Sequence, residues 1–262
     1  MKDKILFSDR RFDTVYEEIN KIFDMPIEGF YRPPRTTKEA GTGKHIAISK
    51  LLDDIRVRVE NCRHKLAAAR YSLALIENEV NFGPTKQEIE EYSEMIKNKM
   101  FPYAELMNEV LINETESFVS QVRGNLDIIV QLLKYLYPYI DERGNDKASF
   151  KSDRRAGETT ADFVRKGGNS EMAEFFDEQI DTWIQNLNEL RNNIVHRSAL
   201  KGFTCFVYES GSGKVVKPLM PDNTEVLRYC QDIYNKLLNL YKTILDNFVS
   251  PELKRISDEP YL

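Results

Sequence analysis

A chain of 262 residues is long enough for one large domain or one domain with an extension. With 41% hydrophobic and 30% charged residues, it has the composition of a soluble globular protein, and no apolar run approaches the 18 residues of a membrane span. A net charge of −5 argues against binding nucleic acid over the whole surface, although it leaves local basic patches open.

The start, MKDKILFSDRRF, carries charge but no apolar core of signal-peptide length. Cys62, Cys205 and Cys230 are an odd, widely spaced set within apolar patterns, which reads as buried free thiols. Together these features lead to the expectation of a reducing, cytoplasmic setting and no membrane partner.

Residues 1–43 read as an N-terminal arm and 44–262 as the main domain. A short helix is expected from Asp13 to Phe23, with Val15, Ile19, Ile22 and Phe23 on one side. The following "DMPIEGFYRPPRTTKEAGTGK" holds prolines and glycines that prevent regular structure. Its GTGK lacks the earlier glycine and the preceding strand of a phosphate loop, so it reads as a loop leading into a helix.

From His45 to Val80 apolar residues recur at 48, 51, 55, 59, 62, 66, 69, 73, 76 and 80. Alternating steps of three and four predict one long helix of roughly 50 Å. Asn81-Phe82-Gly83-Pro84 ends it, and Thr85 with Glu88 offers a capping box for a short helix through Lys99. Pro102 suits the first position of a second long helix. There Leu106, Leu111, Phe118, Val122, Leu126, Ile129, Leu133 and Leu136 face the core, and Pro138 stops it.

Residues 141–169 read as a polar connection with a local excess of base: Arg143, Lys147, Lys151, Arg154, Arg155, Arg165 and Lys166. Ser170 is the expected N-cap of a third long helix that turns Phe176, Ile180, Trp183, Leu187, Leu190 and Ile194 inward. "FTCFVYES-GSG-KVVKPLM" reads as a β-hairpin. Asp222 with Glu225 is expected to cap a final helix running from Val226 to Phe248. The predicted class is all-α: a bundle of four long helices and a short one, with a β-hairpin inserted before the last helix. No clustered ligand set suggests a metal site, and no cofactor motif is present.

The chemistry-bearing stretch is "LNELRNNIVHRSAL", residues 187–200, which concentrates Arg191, Asn192 and His196 near a helix end. Arginine, four to six residues and histidine is a short pattern, and "RVENCRH" supplies a second match in Arg58 and His64, with five residues between them, read as surface positions of the first long helix. Context separates the two. "RNNIVH" resembles the R-N-x-x-V/I-H signature of the HEPN superfamily, and an all-α bundle with two long helices before the motif and one after it resembles its layout. The motif covers six residues, and the architecture covers about residues 45–250.

That resemblance implies a metal-independent endoribonuclease acting at a composite site across a homodimer, in stress or phage defence. Its alternative is a catalytically silent HEPN module that binds RNA, nucleotide or a protein partner such as an antitoxin. On a regular helix Arg191 and His196 stand about 140° apart, whereas Asn192 and His196 share a face. One helix is then poorly placed to bring both onto a single phosphate: either it distorts near Val195, or two chains combine their side chains. From Arg191 to Lys217 five Lys/Arg (191, 197, 201, 214, 217) face one acid, Glu209, a local excess that suits an RNA partner. Glu116, Arg123 and Asp127 on the second long helix are polar residues in an apolar stretch, read as helix surface or as support for the site.

Overall fold

The computed structural model describes residues 17, 19–23, 43–98, 104–106, 109–137, 150, 159–197, 203–207 and 213–258. Steps of three and four govern the first long helix, α1 (Gly43–Phe82). Leu52, Ile55, Val59, Cys62, Leu66, Ala69, Leu73, Ile76 and Val80 are buried along it. Only the N-terminal end departs from expectation, since Leu52 is buried and Leu51 is half-exposed. Gly83 ends α1 at φ 58°, a conformation that costs other residues a Cβ clash, and its N–H donates to the Glu79 carbonyl at 3.1 Å.

α2 (Lys86–Lys97) carries the expected capping box. Thr85 accepts from the Glu88 N–H at 3.2 Å, while the Glu88 carboxylate accepts from the Thr85 N–H at 2.7 Å. The second long helix begins later than Pro102 suggested. Residues Ala104–Leu106 form β1 instead, and α3 runs over Glu109–Leu136. Leu106 therefore belongs to a strand, whose hydrogen bonds come from a segment about a hundred residues away and leave no local periodicity to read. The remaining core positions of α3, Leu111 through Leu136, are buried as the spacing predicts.

Two short surprises follow. Phe150, within the stretch read as a polar connection, is fully buried. α4 (Thr160–Lys166) then forms with its own capping box between Thr159 and Asp162. α5 (Ser170–Gln179) is capped by Asn169 rather than Ser170, the Asn169 side chain accepting from the Met172 N–H at 3.1 Å. It passes through a π-helical turn (Ile180–Ile184) into α6 (Gln185–Arg197). After the hairpin strands β2 (Phe203–Val207) and β3 (Gly213–Val216), α7 (Val226–Ile244) passes through a second π turn (Leu245–Val249) into α8 (Ser250–Asp258). The all-α class and its four long helical runs are thus present, with the hairpin before the last of them.

By its internal contacts the chain divides into two compact units. The first comprises Met1–Ala67, Val122–Asn188 and Leu237–Leu262, and the second Ala68–Gln121 and Glu189–Lys236. In the first unit, residues 19–23 are helical as predicted, with Ile19 and Phe23 buried. Phe23 meets the Tyr241 ring edge-on at 5.2 Å. Phe150 packs edge-on against Phe176 at 5.2 Å, and Phe175 and Phe176 both reach Phe248. The Tyr137 hydroxyl donates to the Phe248 carbonyl at 2.7 Å, giving a partner to a carbonyl inside the second π turn. Arg165 joins α4 to α5 by pairing with both Asp162 and Asp177.

A polar chain runs through this apolar interior. Asn125 is fully buried; its amide donates to the Lys65 carbonyl at 3.0 Å, and its oxygen accepts from the Tyr241 hydroxyl at 2.6 Å. Cys62 is fully buried in the same unit, and the Tyr241 hydroxyl partly offsets the burial that holds its thiol protonated. Residues of α1, α3 and α7 are thereby tied by a chain in which each buried group has a partner.

The second unit contains a three-stranded antiparallel sheet of order β1-β2-β3. Ala104 stands opposite Cys205, and Cys205 opposite Val215, and α2 lies against β2. Asp222 does not cap α7. Its carboxylate accepts from the Thr224 N–H at 2.9 Å within a turn that places Asn223 at φ 67°, and the first α7 N–H, of Val226, is satisfied by the Pro218 carbonyl at 3.0 Å. Arg70 pairs with Glu77 at 3.2 Å and lies over the Tyr234 ring at 5.9 Å, while Gln231 donates to the other Glu77 oxygen.

Burial has a consequence for stability at high pH. It pushes the Cys62 thiol from the ordinary 9.0 up to about 12, and it raises Cys230, Tyr229 and Tyr241 as well. Between pH 9 and 12 the unfolded chain releases a Cys62 proton that the folded chain keeps. Stability is therefore complete below pH 9 and falls as pH rises, by up to about 1.4 kcal/mol per pH unit for each such group. Urea unfolding followed by Trp183 fluorescence should show a midpoint that drops steadily above pH 9, with a shallower drop in Cys62→Ala. A flat profile from pH 8 to 11 would contradict this burial.

Candidate functional site

Leu187 is fully buried in α6, and Asn188 one residue on is half-buried, its amide donating to the Phe150 carbonyl at 3.1 Å. No sequence pattern marks that role of Asn188, because its partner is a backbone carbonyl 38 residues away. Beyond this point the helix turns polar. Glu189, Arg191 and Asn192 are exposed, and Leu190 is half-exposed. An exposed arginine followed by an exposed asparagine suits an anion better than a core, since the guanidinium is a charged fork of five donors and the amide adds two more.

The helix remains α-helical through Arg197. The distortion near Val195 that would let one helix converge on a phosphate does not occur in the backbone. Positions 191 and 196 therefore stand about 140° apart around the axis and about 7.5 Å apart along it. Positions 192 and 196 lie about 40° apart, on one face. The side chain of His196 lies outside the described residues, as do those of Asn193, Ile194, Val195 and Arg197.

Of the nearby basic residues, Lys217 is exposed and stands 3.9 Å from the Glu225 carboxylate. A surface pair of this kind contributes little and is screened by salt, so it leaves the ammonium accessible to a polyanion. The side chains of Lys201 and Lys214 lie outside the described residues, as does Glu209. In the basic connection, Arg143, Lys147, Lys151, Arg154 and Arg155 also lie outside them, whereas Arg165 is engaged by two aspartates.

In the competing match only His64 is a fully exposed position. His64 on α1 is 70% exposed and 4.0 Å from the Glu60 carboxylate, and Arg58 is half-buried. On α3, Arg123 and Asp127 bind one another at 3.0 Å, an i,i+4 pair, and Glu116 is half-buried. Cys62 and Cys230 are unsuited to nucleophilic work: both are buried, and burial keeps their thiols protonated far above neutrality, while the side chain of Cys205 lies outside the described residues. Among the described residues no group of histidine, cysteine, aspartate and glutamate is arranged to hold a metal ion, and no helix is long and apolar enough to cross a membrane. No family model, curated protein or solved structure matches the chain.

Proposed function

We propose that this protein is an HEPN-like endoribonuclease whose working unit is a homodimer, with Arg191, Asn192 and His196 from α6 as its catalytic group. The observation that carries the reading is the exposure of Arg191 and Asn192 on a helix that continues unbroken past residue 196. An arginine buried against the core would serve packing, whereas one displayed to solvent beside an amide, one turn before a histidine, is available to a phosphate.

The chemistry follows from residue types. Cleavage of RNA through its own 2′-hydroxyl requires removal of the 2′ proton, attack of that oxygen on phosphorus, and protonation of the departing 5′-oxygen. The 2′-oxygen to phosphorus bond forms as the phosphorus to 5′-oxygen bond breaks, leaving a 2′,3′-cyclic phosphate. An imidazole with an ordinary pKa near 6.5 performs either proton transfer at neutral pH. A guanidinium holds the non-bridging oxygens as negative charge gathers on them. Two copies of α6 related by a two-fold axis supply two histidines, one as base and one as acid, with two arginines, which offsets the 140° separation within each helix.

The test is incubation of the purified protein with single-stranded RNA and with DNA of the same sequence, in EDTA. RNA cut to products ending in 2′,3′-cyclic phosphate, with DNA untouched, supports the proposal. RNA that is bound but left whole across a broad substrate panel overturns the enzyme in favour of a silent binding module.

A further inference from the structure

The helical run from α5 through its π turn into α6 is held on both sides of that turn by a single residue. Phe150 is fully buried, and its ring meets Phe176 of α5 edge-on at 5.2 Å. Its carbonyl accepts from the Asn188 amide of α6 at 3.1 Å. The π turn, Ile180–Ile184, lies between Phe176 and Asn188, and all of these residues belong to the first unit.

The place of this tie matters because of what a π turn does to a helix. It carries one residue more than an α-helical turn, so gaining, losing or moving that residue turns everything downstream by about 100°. Inside the turn Ile180, Trp183 and Ile184 are buried, and the Trp183 indole donates to Gln179 at 2.9 Å, which fixes the turn itself. Downstream, Leu187 is the last fully buried side chain among the described residues of α6. Apolar burial is non-directional, whereas the hydrogen bond at Asn188 demands one orientation. Asn188 stands one turn before the exposed pair. Around the helix axis Arg191 lies about 60° to one side of it and Asn192 about 40° to the other.

We propose that Asn188 is a positioning residue for the candidate site: its hydrogen bond to the Phe150 carbonyl sets the rotation of α6 past the π turn, and so the direction in which Arg191 and Asn192 are presented. This role rests on the reading of α6 as the ribonuclease helix. Asn188 acts through its neighbours and not on substrate, because its half-buried amide is engaged by the carbonyl. A guanidinium that stabilises charge on a phosphate must be held in place, and a displacement of about 1 Å at a reacting centre costs about 100-fold in rate. Loss of the tie therefore lowers turnover more than it weakens binding.

Asn188→Ala removes the tie, and Asn188→Leu removes it while keeping the bulk of the side chain. Asn186→Ala, at an exposed position of the same helix, is the control. Peptide-resolved amide hydrogen exchange of the full-length chain reads the tie without RNA. Both Asn188 variants should exchange several-fold faster than wild type over residues 185–192, with α5 unchanged and Asn186→Ala at the wild-type rate. On single-stranded RNA in EDTA, at a temperature where they stay folded, both should lower kcat about tenfold or more with KM within about threefold. Wild-type exchange over 185–192 in both variants would overturn the tie, whether or not the chain cleaves RNA. Faster exchange with an unchanged kcat would overturn the positioning role. Wild-type protein that leaves RNA whole would remove the ribonuclease reading, and the positioning role with it, while the exchange result still decides the tie.

Discussion

His196→Ala is expected to lower the rate of RNA cleavage by about 10²–10⁴-fold, the range for loss of a positioned general acid or base. Arg191→Ala should cost about 10²–10³-fold, as for removal of one transition-state charge partner, because the phosphate charge that builds during attack loses its fixed cation. Asn192→Ala should cost less than either, since an amide only orients an imidazole or adds a neutral hydrogen bond. Arg191 and Asn192 are exposed, so their removal should shift stability by no more than about 0.5 kcal/mol, and activity should fall in a protein that remains folded. With one histidine acting as base and its symmetry mate as acid, kcat/KM should be bell-shaped in pH around the histidine range. Unchanged cleavage by His196→Ala would remove the histidine from the mechanism.

The largest effect on stability is expected in the buried polar chain of the first unit. Asn125→Ala deletes the acceptor of a fully buried tyrosine hydroxyl, removes an amide that binds the Lys65 carbonyl, and leaves a small void. An unsatisfied buried hydroxyl costs about 1–3 kcal/mol and the void adds to it, so a total of about 3 kcal/mol is expected. For a chain of this size that corresponds to a fall in Tm of roughly 6–12 °C. Tyr241→Phe should cost about 1–3 kcal/mol, because the buried Asn125 oxygen loses its donor. The double variant Asn125→Ala/Tyr241→Phe should then cost clearly less than the sum of its singles, since it removes both ends of the bond and strands neither. Trp183 is the single tryptophan and is buried in the same unit, so its fluorescence in urea reads the transition directly. Strict additivity would mean that the chain is not energetically coupled.

Legibility of the fold tracked how local each determinant is. The three-and-four spacing of α1 and α3 placed their core residues, because a helix buries what lies on one face whatever it packs against. The Thr85/Glu88 box was visible for the same reason, with both partners three residues apart. β1, the burial of Phe150 and the turn at Asp222 were not visible. Each depends on a partner far along the chain or on a backbone carbonyl: β2 for Leu106, Asn188 for Phe150, and Pro218 for the first turn of α7. α4 was hidden by its seven-residue length, within a stretch whose base and glycine content reads as loop. The two π turns follow no local signature either.

The candidate site divides along the same line. Arg191, Asn192 and His196 stand out as a string, and exposure of the first two agrees with a site. What no single chain displays is the arrangement in which the proposed group would work together. A straight helix keeps residues 191 and 196 about 140° apart, and the second copy that would complete the group leaves no trace in the spacing of one sequence.

Mixing of active and inactive subunits tests that arrangement most directly. Wild-type and His196→Ala chains are combined in known proportions, unfolded and refolded together, and assayed on single-stranded RNA in EDTA. Because the proposed site takes its base from one chain and its acid from the other, a mixed dimer lacks one of the two, and cleavage is predicted to fall as the square of the wild-type fraction. Cleavage that falls in simple proportion to the wild-type fraction would contradict a site shared between two chains.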